Sequence, residues 1–286
     1  MRNLQSGFTL VEMIMVIVIT GIIGGMVAVF LNAPVRQYVD VARRADMTDI
    51  ADTALRRIGR DLRLALPNSV RVTTVGSNAY LEFLPTTAGG RYRAAADSTP
   101  TTTGCGSAVA NVLDFTATDT CFQVLGPMPP AFTGGESVVV YNLGITGATA
   151  YDNTSRTTTA VSIAGNTLNI AAPGKQFPFD SPSHRFQVIT TPVTYVCNAP
   201  ATNAAGNGTG TLIRWQGYAI QSAQPTILPT TGTPSASVLA NHVSACNFDY
   251  FTNASQHSGL VTMNLGITES NEAVTLYSAT HVSNVP

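Results

Sequence analysis

The chain has 286 residues, a formal net charge of −1 and only 11% charged residues. It has no global basic field to gather nucleic acid, so nucleic acid is not an expected partner. Its length allows one large domain or two small ones.

The first thirty-one residues form the first element. A short polar leader with Arg2 ends in Gly7, and an apolar run from Phe8 to Leu31 follows, holding one acid, Glu12. At about 1.5 Å per residue the run is about 36 Å long, enough to cross a hydrocarbon core. A secretory signal peptide would have an apolar stretch of about 7–15 residues before its cleavage site. This run is longer and carries a carboxylate near its start. A plain single-span anchor leaves Glu12 unexplained, because a central charge in a spanning helix costs about 2.5–3.5 kcal/mol on insertion scales and usually marks function.

The segment Gly7-Phe8-Thr9-Leu10-Val11-Glu12 resembles the processing site of type IV prepilins and type II secretion pseudopilins. That resemblance implies cleavage after Gly7 by a prepilin peptidase/methyltransferase, N-methylation of the new first residue, Phe8, and a subunit-assembly role for Glu12. Its carboxylate would meet the terminal amine of an adjacent subunit. Such a pair neutralises two buried charges together, and a mismatched register leaves both unpaired, so the pair sets stagger as well as strength. Ser6 precedes Gly7 where the family often has Lys or Arg, which leaves Arg2 as the leader's charge.

Residues 34–66 are expected to continue as an amphipathic helix. Apolar or small residues recur at Val35, Val39, Ala42, Met47, Ile50, Ala54, Ile58, Leu62 and Ala65, near one face. Charges fill the other side, and Asp40–Arg44 and Asp52–Arg56 are acid-before-base pairs at i,i+4. Pro34 is expected to kink the junction with the spanning half, and Pro67-Asn68 to end the helix. The arginine-rich face could meet lipid headgroups, DNA or neighbouring subunits. Its interspersed acids weaken the first two and favour a solvated or intersubunit face.

Beyond residue 63 the chain is rich in Thr, Ser, Ala, Gly and Asn and has one lysine, Lys175. Its many Val, Ile, Tyr and Phe residues argue for a packed core rather than disorder. Strands are expected at 70–75, 80–84, 112–116, 122–125, 137–141, 167–170, 185–190, 193–197, 211–220, 246–251, 260–267 and 273–282, separated by Gly, Pro, Ser or Asn clusters. Residues 86–104 and 198–210 read as polar loops. Thr268-Glu269-Ser270-Asn271-Glu272 reads as a hairpin turn. In the strand before it, Val261, Met263 and Leu265 should face one way and Leu260, Thr262 and Asn264 the other.

Cys105, Cys121, Cys197 and Cys246 are an even set, which in an exported chain suggests disulfides. Three connectivities are open. Closure of nearest pairs favours Cys105–Cys121 and Cys197–Cys246. A zinc site fails on spacing, since no close Cys pair occurs and the four histidines are scattered. No nucleophile elbow, HExxH, Walker or dinucleotide motif occurs, so no enzyme activity and no cofactor are expected. Residues 180–183 and 151–154 offer oxygen ligands without the pattern of a calcium loop, and no metal ligands are assigned.

The helix end from Arg56 to Arg71, together with Val193-Thr194-Tyr195-Val196-Cys197, Leu212-Ile213-Arg214-Trp215, Ala245-Cys246-Asn247-Phe248-Asp249-Tyr250 and the final His281-Val282-Ser283-Asn284-Val285-Pro286, is similar to the MshO-like minor pilins of mannose-sensitive haemagglutinin (MSHA-type) pili. The resemblance covers both ends of the chain, while residues 86–181 are not placed by it. It implies an α+β fold, a long N-terminal helix, transmembrane then amphipathic, packed on a large antiparallel β-sheet head. The expected segments are a leader at 1–7, a transmembrane helix at 8–33, an amphipathic helix at 34–66 and a β-rich head at 67–286 built of one or two sheets. The implied role is a minor type IV pilin that helps initiate or cap a pilus. Its partners would be other minor and major pilins, the inner-membrane pilus assembly platform and membrane lipid. The precursor would be single-pass in the inner membrane with its head in the periplasm, and would reach the pilus or cell surface after assembly. A pseudopilin J-like subunit of type II secretion, or an adhesin or DNA-uptake head displayed on a pilus, is the alternative.

Overall fold

The computed structural model describes residues 9–96, 105–106, 111–253 and 258–286. The chain divides into two compact units, Met1–Met47 and Thr48–Pro286. One helix, α1 (Leu10–Leu62), runs through the boundary and contains Pro34 without interruption. It ends four residues before Leu66. Its last turn tightens to three-residue bonds, Leu64 N–H to Asp61 O and Ala65 N–H to Leu62 O, both at 3.1 Å. Leu66 then gives its N–H to Leu84 O at 2.7 Å instead of to the helix. Pro67, which pushes the residue before it toward extended backbone, explains the stop.

In the second unit the helix buries Ala51, Ala54, Leu55, Ile58 and Leu62. Ile50 does not belong to that face and is 43% exposed. Steps of four advance about 40° beyond a full turn each, so a row traced back from Leu62 through Ile58 and Ala54 has drifted about 120° by Ile50. Ala51 and Leu55 take its place.

Thirteen strands follow: β1 (Arg71–Val75), β2 (Asn78–Phe83), β3 (Thr86–Tyr92), β4 (Cys121–Leu125), β5 (Ser137–Val140), β6 (Val161–Ala164), β7 (Thr167–Ile170), β8 (Arg185–Ile189), β9 (Val193–Asn198), β10 (Gly210–Tyr218), β11 (Gly232–Asn253), β12 (Ser258–Glu269) and β13 (Glu272–Ser283). They make two antiparallel sheets, ordered β1-β2-β9-β10-β11-β12-β13 and β5-β8-β3-β4-β7-β6. The fold is α+β, and within the second unit the end of α1 lies on the seven-stranded sheet. A Cβ added at Gly59 would stand 3.0 Å from Thr280 Oγ1 of β13, which shows how closely the helix backbone approaches. Asp61 accepts hydrogen bonds from Tyr195 Oη of β9 at 2.7 Å and Arg214 Nε of β10 at 3.1 Å.

The six-stranded sheet has its own core, built around Tyr92, Phe122, Phe177 and Phe186. A smaller cluster joins Leu66 at the helix exit to Leu84, just past β2, and to Val139 of β5 and Ile189 of β8.

Along β12, Val261, Met263 and Leu265 are buried and Asn264 is exposed, the expected alternation. The turn after it places Ser270 and Asn271 at φ 52° and 64°, the double left-handed geometry that suits the twist of a two-residue hairpin. Other expectations are corrected as well. Residues 86–92 form β3 and not a loop. Residues 112–116 are bends and not a strand, because Asp114 Oδ1 accepts both Thr116 N–H and Thr116 Oγ1–H at 2.7 Å and bends the backbone locally. β11 begins at Gly232, far upstream of the expected 246, and β6 joins β7 as a hairpin across Gly165-Asn166.

Candidate membrane-anchoring and assembly segment

The first described residues build a defined helix start. Thr9 O accepts the N–H of Met13 at 3.2 Å, and Thr9 Oγ1 accepts the N–H of Glu12 at 3.3 Å. Thr9 is therefore the cap, and Glu12 stands three residues on, the Thr-x-x-Glu spacing of a capping box. A carboxylate in this first turn is also favoured by the positive end of the helix dipole.

From Leu10 to Phe30 the helix is long and apolar enough to cross a membrane, and none of that window is buried. Its large side chains, such as Leu10, Ile14, Ile17 and Phe30, are 53–78% exposed. Thr20 satisfies its hydroxyl by donating to Val16 O at 2.6 Å, as a span in lipid requires of its polar groups. Glu12 is the one ionisable side chain on this stretch.

Residues 2–28 match the prokaryotic N-terminal methylation motif. It is a prepilin-type signal, and it implies processing by prepilin peptidase and assembly with other pilins. No curated protein and no solved structure matches the chain. The methylation motif and the apolar helix together fit a membrane-anchored precursor. Gly7 and Phe8 lie outside the described residues, while Glu12 falls on the first turn of α1, inside the motif.

The four cysteines lie in the head as two disulfides. Cys105 and Cys121 have Cα atoms 5.6 Å apart, and Cys197 and Cys246 5.7 Å. The second joins β9 to β11, strands that β10 separates in the sheet order.

Among the described residues no group of three or more His, Cys, Asp or Glu side chains is placed to hold a metal. Asp152 turns inward on its own loop, accepting from Gly147 N–H at 3.1 Å and Thr154 N–H at 2.9 Å. Slight burial works to raise its pKa, but these hydrogen bonds win and hold it below the usual carboxylate value. Asp180 accepts from Tyr92 Oη and lies 3.2 Å from His184 Nδ1, a partner that sequence proximity alone did not reveal. A cavity of about 710 Å³ lies beside Asn68, Tyr141, Tyr250 and Asn284, and no charged side chain lines it. Its amides are already bonded to backbone and to a tyrosine hydroxyl, as Asn68 Nδ2 donates to Asn142 O at 2.9 Å and Asn284 Nδ2 to Tyr250 Oη at 3.0 Å.

Sequence reasoning missed the buried charge at the centre of the head. Glu82, fully buried on β2, meets Arg71 Nε at 2.6 Å and accepts from Tyr218 Oη at 2.9 Å. Arg71 also donates to Ser222 O and Gln221 O at 2.7 and 2.9 Å, and its guanidinium lies 3.6 Å from the Tyr151 ring centroid. Burial raises the Glu82 pKa, and Arg71 and Tyr218 offset only part of that rise. The one signal in the sequence was an acid inside the strand-like run Asn78-Ala79-Tyr80-Leu81-Glu82-Phe83. The network is closed on itself, which marks it as architecture that pins β1, β2 and β10 to the loop at 221–222.

Proposed function

We propose that the chain is a minor type IV pilin of the MshO-like kind, a structural subunit and not an enzyme, that helps to initiate or cap a pilus. The observation that carries this reading is the methylation motif at residues 2–28, set on a helix whose apolar surface is exposed from Leu10 to Phe30. The signal directs processing, the helix supplies the surface that buries against neighbours or lipid, and the disulfide-linked head is what the filament would carry. Cleavage falls between Gly7 and Phe8, Phe8 is N-methylated, and Glu12 pairs with the amine of an adjacent subunit. The helix lies in the inner membrane before assembly, with the head in the periplasm, beside other pilins and the assembly platform.

N-terminal sequencing and intact mass of the mature chain test this directly. The expected product begins with N-methylated Phe8, and a mature chain beginning anywhere else overturns the reading. Replacing Gly7 with a bulky or charged residue should leave full-length precursor in the inner membrane. Recovery of the processed chain in sheared pili, at a copy number well below that of a major subunit, is expected of an initiating or capping pilin. Recovery only with a secretion complex would assign it to the pseudopilins instead.

A further inference from the structure

Arg156 is a partly buried cation that meets no carboxylate among the described residues. Residues 155–157 run along the free edge of β5, where Val140 N–H donates to Ser155 O at 3.0 Å and Thr157 N–H to Val138 O at 2.9 Å. That pairing sets Arg156 against Val139. Its Nε donates to Ala150 O at 2.7 Å and one Nη to Thr157 O at 3.4 Å, and among the described residues its remaining N–H groups find no acceptor. Burial holds its pKa below the usual arginine value with no acid to offset it. Arg71 and Arg214, also partly buried, each have one: Glu82 at 2.6 Å and Asp61 at 3.1 Å. Arg156 lines a cavity of about 400 Å³ with Ser137, Thr158, Thr159, Thr190 and Thr191. That volume falls among small-molecule sites, which run from about 300 to 1,000 Å³. Thr191 Oγ1 accepts Gly217 N–H at 3.3 Å, while the other four hydroxyls make no hydrogen bond among the described residues. Glu136 is on the same wall, but both its oxygens are taken by Thr133 and Gly134 of its own turn. Lys175 adds to the positive side: burial first, and then the charge of Arg156, lower its pKa, with Asp152 opposing.

We propose that this cavity binds an acidic sugar, with Arg156 holding its carboxylate or sulfate ester and the threonine and serine hydroxyls holding its ring hydroxyls. The guanidinium is a planar fork of five donors that matches such oxyanions, and these charge-assisted bonds are about twice as strong as neutral ones. A partly buried charge without a counter-ion gains most from one that arrives with a ligand. The bond to Ala150 O and the pairing with Val139 fix Arg156 before binding, so little ordering remains to be done. Size and wall chemistry select a sugar over a bare ion. A free oxyanion would meet Arg156 and leave most of the cavity to water. Hydroxyls that both donate and accept are what the ring of a sugar requires. The proposal concerns the head alone and does not depend on how the N-terminal segment is processed.

The full-length chain, purified in detergent at low ionic strength, is titrated calorimetrically with glucuronate, glucose 6-sulfate, glucose and inorganic sulfate. The two acidic sugars should bind saturably, glucose should not, and inorganic sulfate should bind more weakly than either acidic sugar. Arg156→Gln should weaken binding by about tenfold or more, the loss expected of a hydrogen bond to a charged group. Because Arg156 also holds Ala150 O, Thr190→Val gives a second reading at a hydroxyl that no described residue uses. It should weaken binding about two- to tenfold and leave the thermal midpoint unchanged. No saturable binding of either acidic sugar, or binding that neither variant weakens, overturns the proposal. Glucose bound as tightly as glucuronate would remove Arg156 from recognition and overturns it likewise. Inorganic sulfate bound as tightly as the acidic sugars would make this a site for a free ion and overturns the assignment of a sugar.

Discussion

Replacing Ile58 with alanine tests whether α1 docks through the face assigned to it. Ile58 has no exposed surface, and its neighbours on the helix leave little room to collapse into a void. Gly59 brings the backbone close to Thr280, and Asp61 is clamped by Tyr195 and Arg214. Large-to-small changes at such sites cost about 2–5 kcal/mol, the upper half applying where the surroundings cannot relax. For a domain of this size each kcal/mol moves the midpoint by about 2–4 °C, so Ile58→Ala should lower it by about 7–20 °C. Ile50→Ala, at a side chain 43% exposed, should shift it by no more than about 2 °C. The chain has a single tryptophan, Trp215, which is 8% exposed and packs with Tyr80 on the sheet that carries the helix end, so its fluorescence follows the unfolding of that sheet. The measurement is a thermal melt of the full chain in detergent. Equal shifts for the two variants, or a larger one for Ile50→Ala, would refute the assignment of the buried face. Starting the chain at Val70 instead of near Val35 should be more damaging still, since it uncovers the sheet surface beneath Ala54, Ile58 and Leu62. Burial of two such aliphatic side chains is worth about 3–6 kcal/mol before entropy.

Breaking the disulfides should cost about 3 kcal/mol for Cys105–Cys121 and about 4 kcal/mol for Cys197–Cys246, because the second closes the longer loop. Denaturant titration of the Cys→Ser pairs measures this, and peptide mapping that finds a Cys121–Cys197 link would contradict the pairing. Glu12→Ala should leave membrane insertion intact and weaken co-purification with other pilins, since removing the charge lowers insertion cost and any defect must come from lost pairing. Normal co-purification would show that Glu12 has no pairing role. The folded-state pKa of Glu82 lies above its usual 4.5, so the native chain holds this proton more tightly than the unfolded one. Stability should therefore fall as pH rises from 4.5 through the folded value and be flat in this term beyond it. Glu82→Gln should remove that slope in urea titrations across pH, and an unchanged slope would assign it to another group. Arg71→Ala should cost about 3–5 kcal/mol at neutral pH by leaving the buried carboxylate unpaired.

Legibility in the sequence followed the source of each element's stability. The β12–β13 hairpin is local: alternation sets the faces, and Ser270-Asn271 accepts the positive φ values of the turn. Both could be read without knowing the rest of the molecule. β3 could not, because Thr-Thr-Ala-Gly-Gly-Arg-Tyr has little strand propensity. It is a strand because its neighbours need one there. A Cβ at Gly90 would stand 2.7 Å from Phe186 Cζ of β8, so the glycine that weakens the local signal is what admits the ring. β11 shows the same conflict over a greater length. Its first half pairs with β10 through three register shifts and its second half with β12, with His242 at φ 56° beside the changeover at Val243. A strand rich in Thr, Ser and Ala is fixed there by partners on both sides, and no window of its own sequence contains them.

The functional signal is distributed in the opposite way. Thr9, Leu10 and Glu12 act through a local cap and an unbroken apolar surface, and these survive in sequence even where no curated relative covers the head. The charges from Asp49 to Arg63 are equally local in spacing, yet which of them face outward could be read only from the helix face. Only once Ala51, Leu55, Ile58 and Leu62 are known to be buried do Asp49, Arg56, Arg60 and Arg63 become one exposed surface, on which Arg56 holds Asp52. An arginine-rich helix by itself fits a solvated face. The head supplies the rigid platform that holds this face outward, through Asp61 and its two partners on β9 and β10.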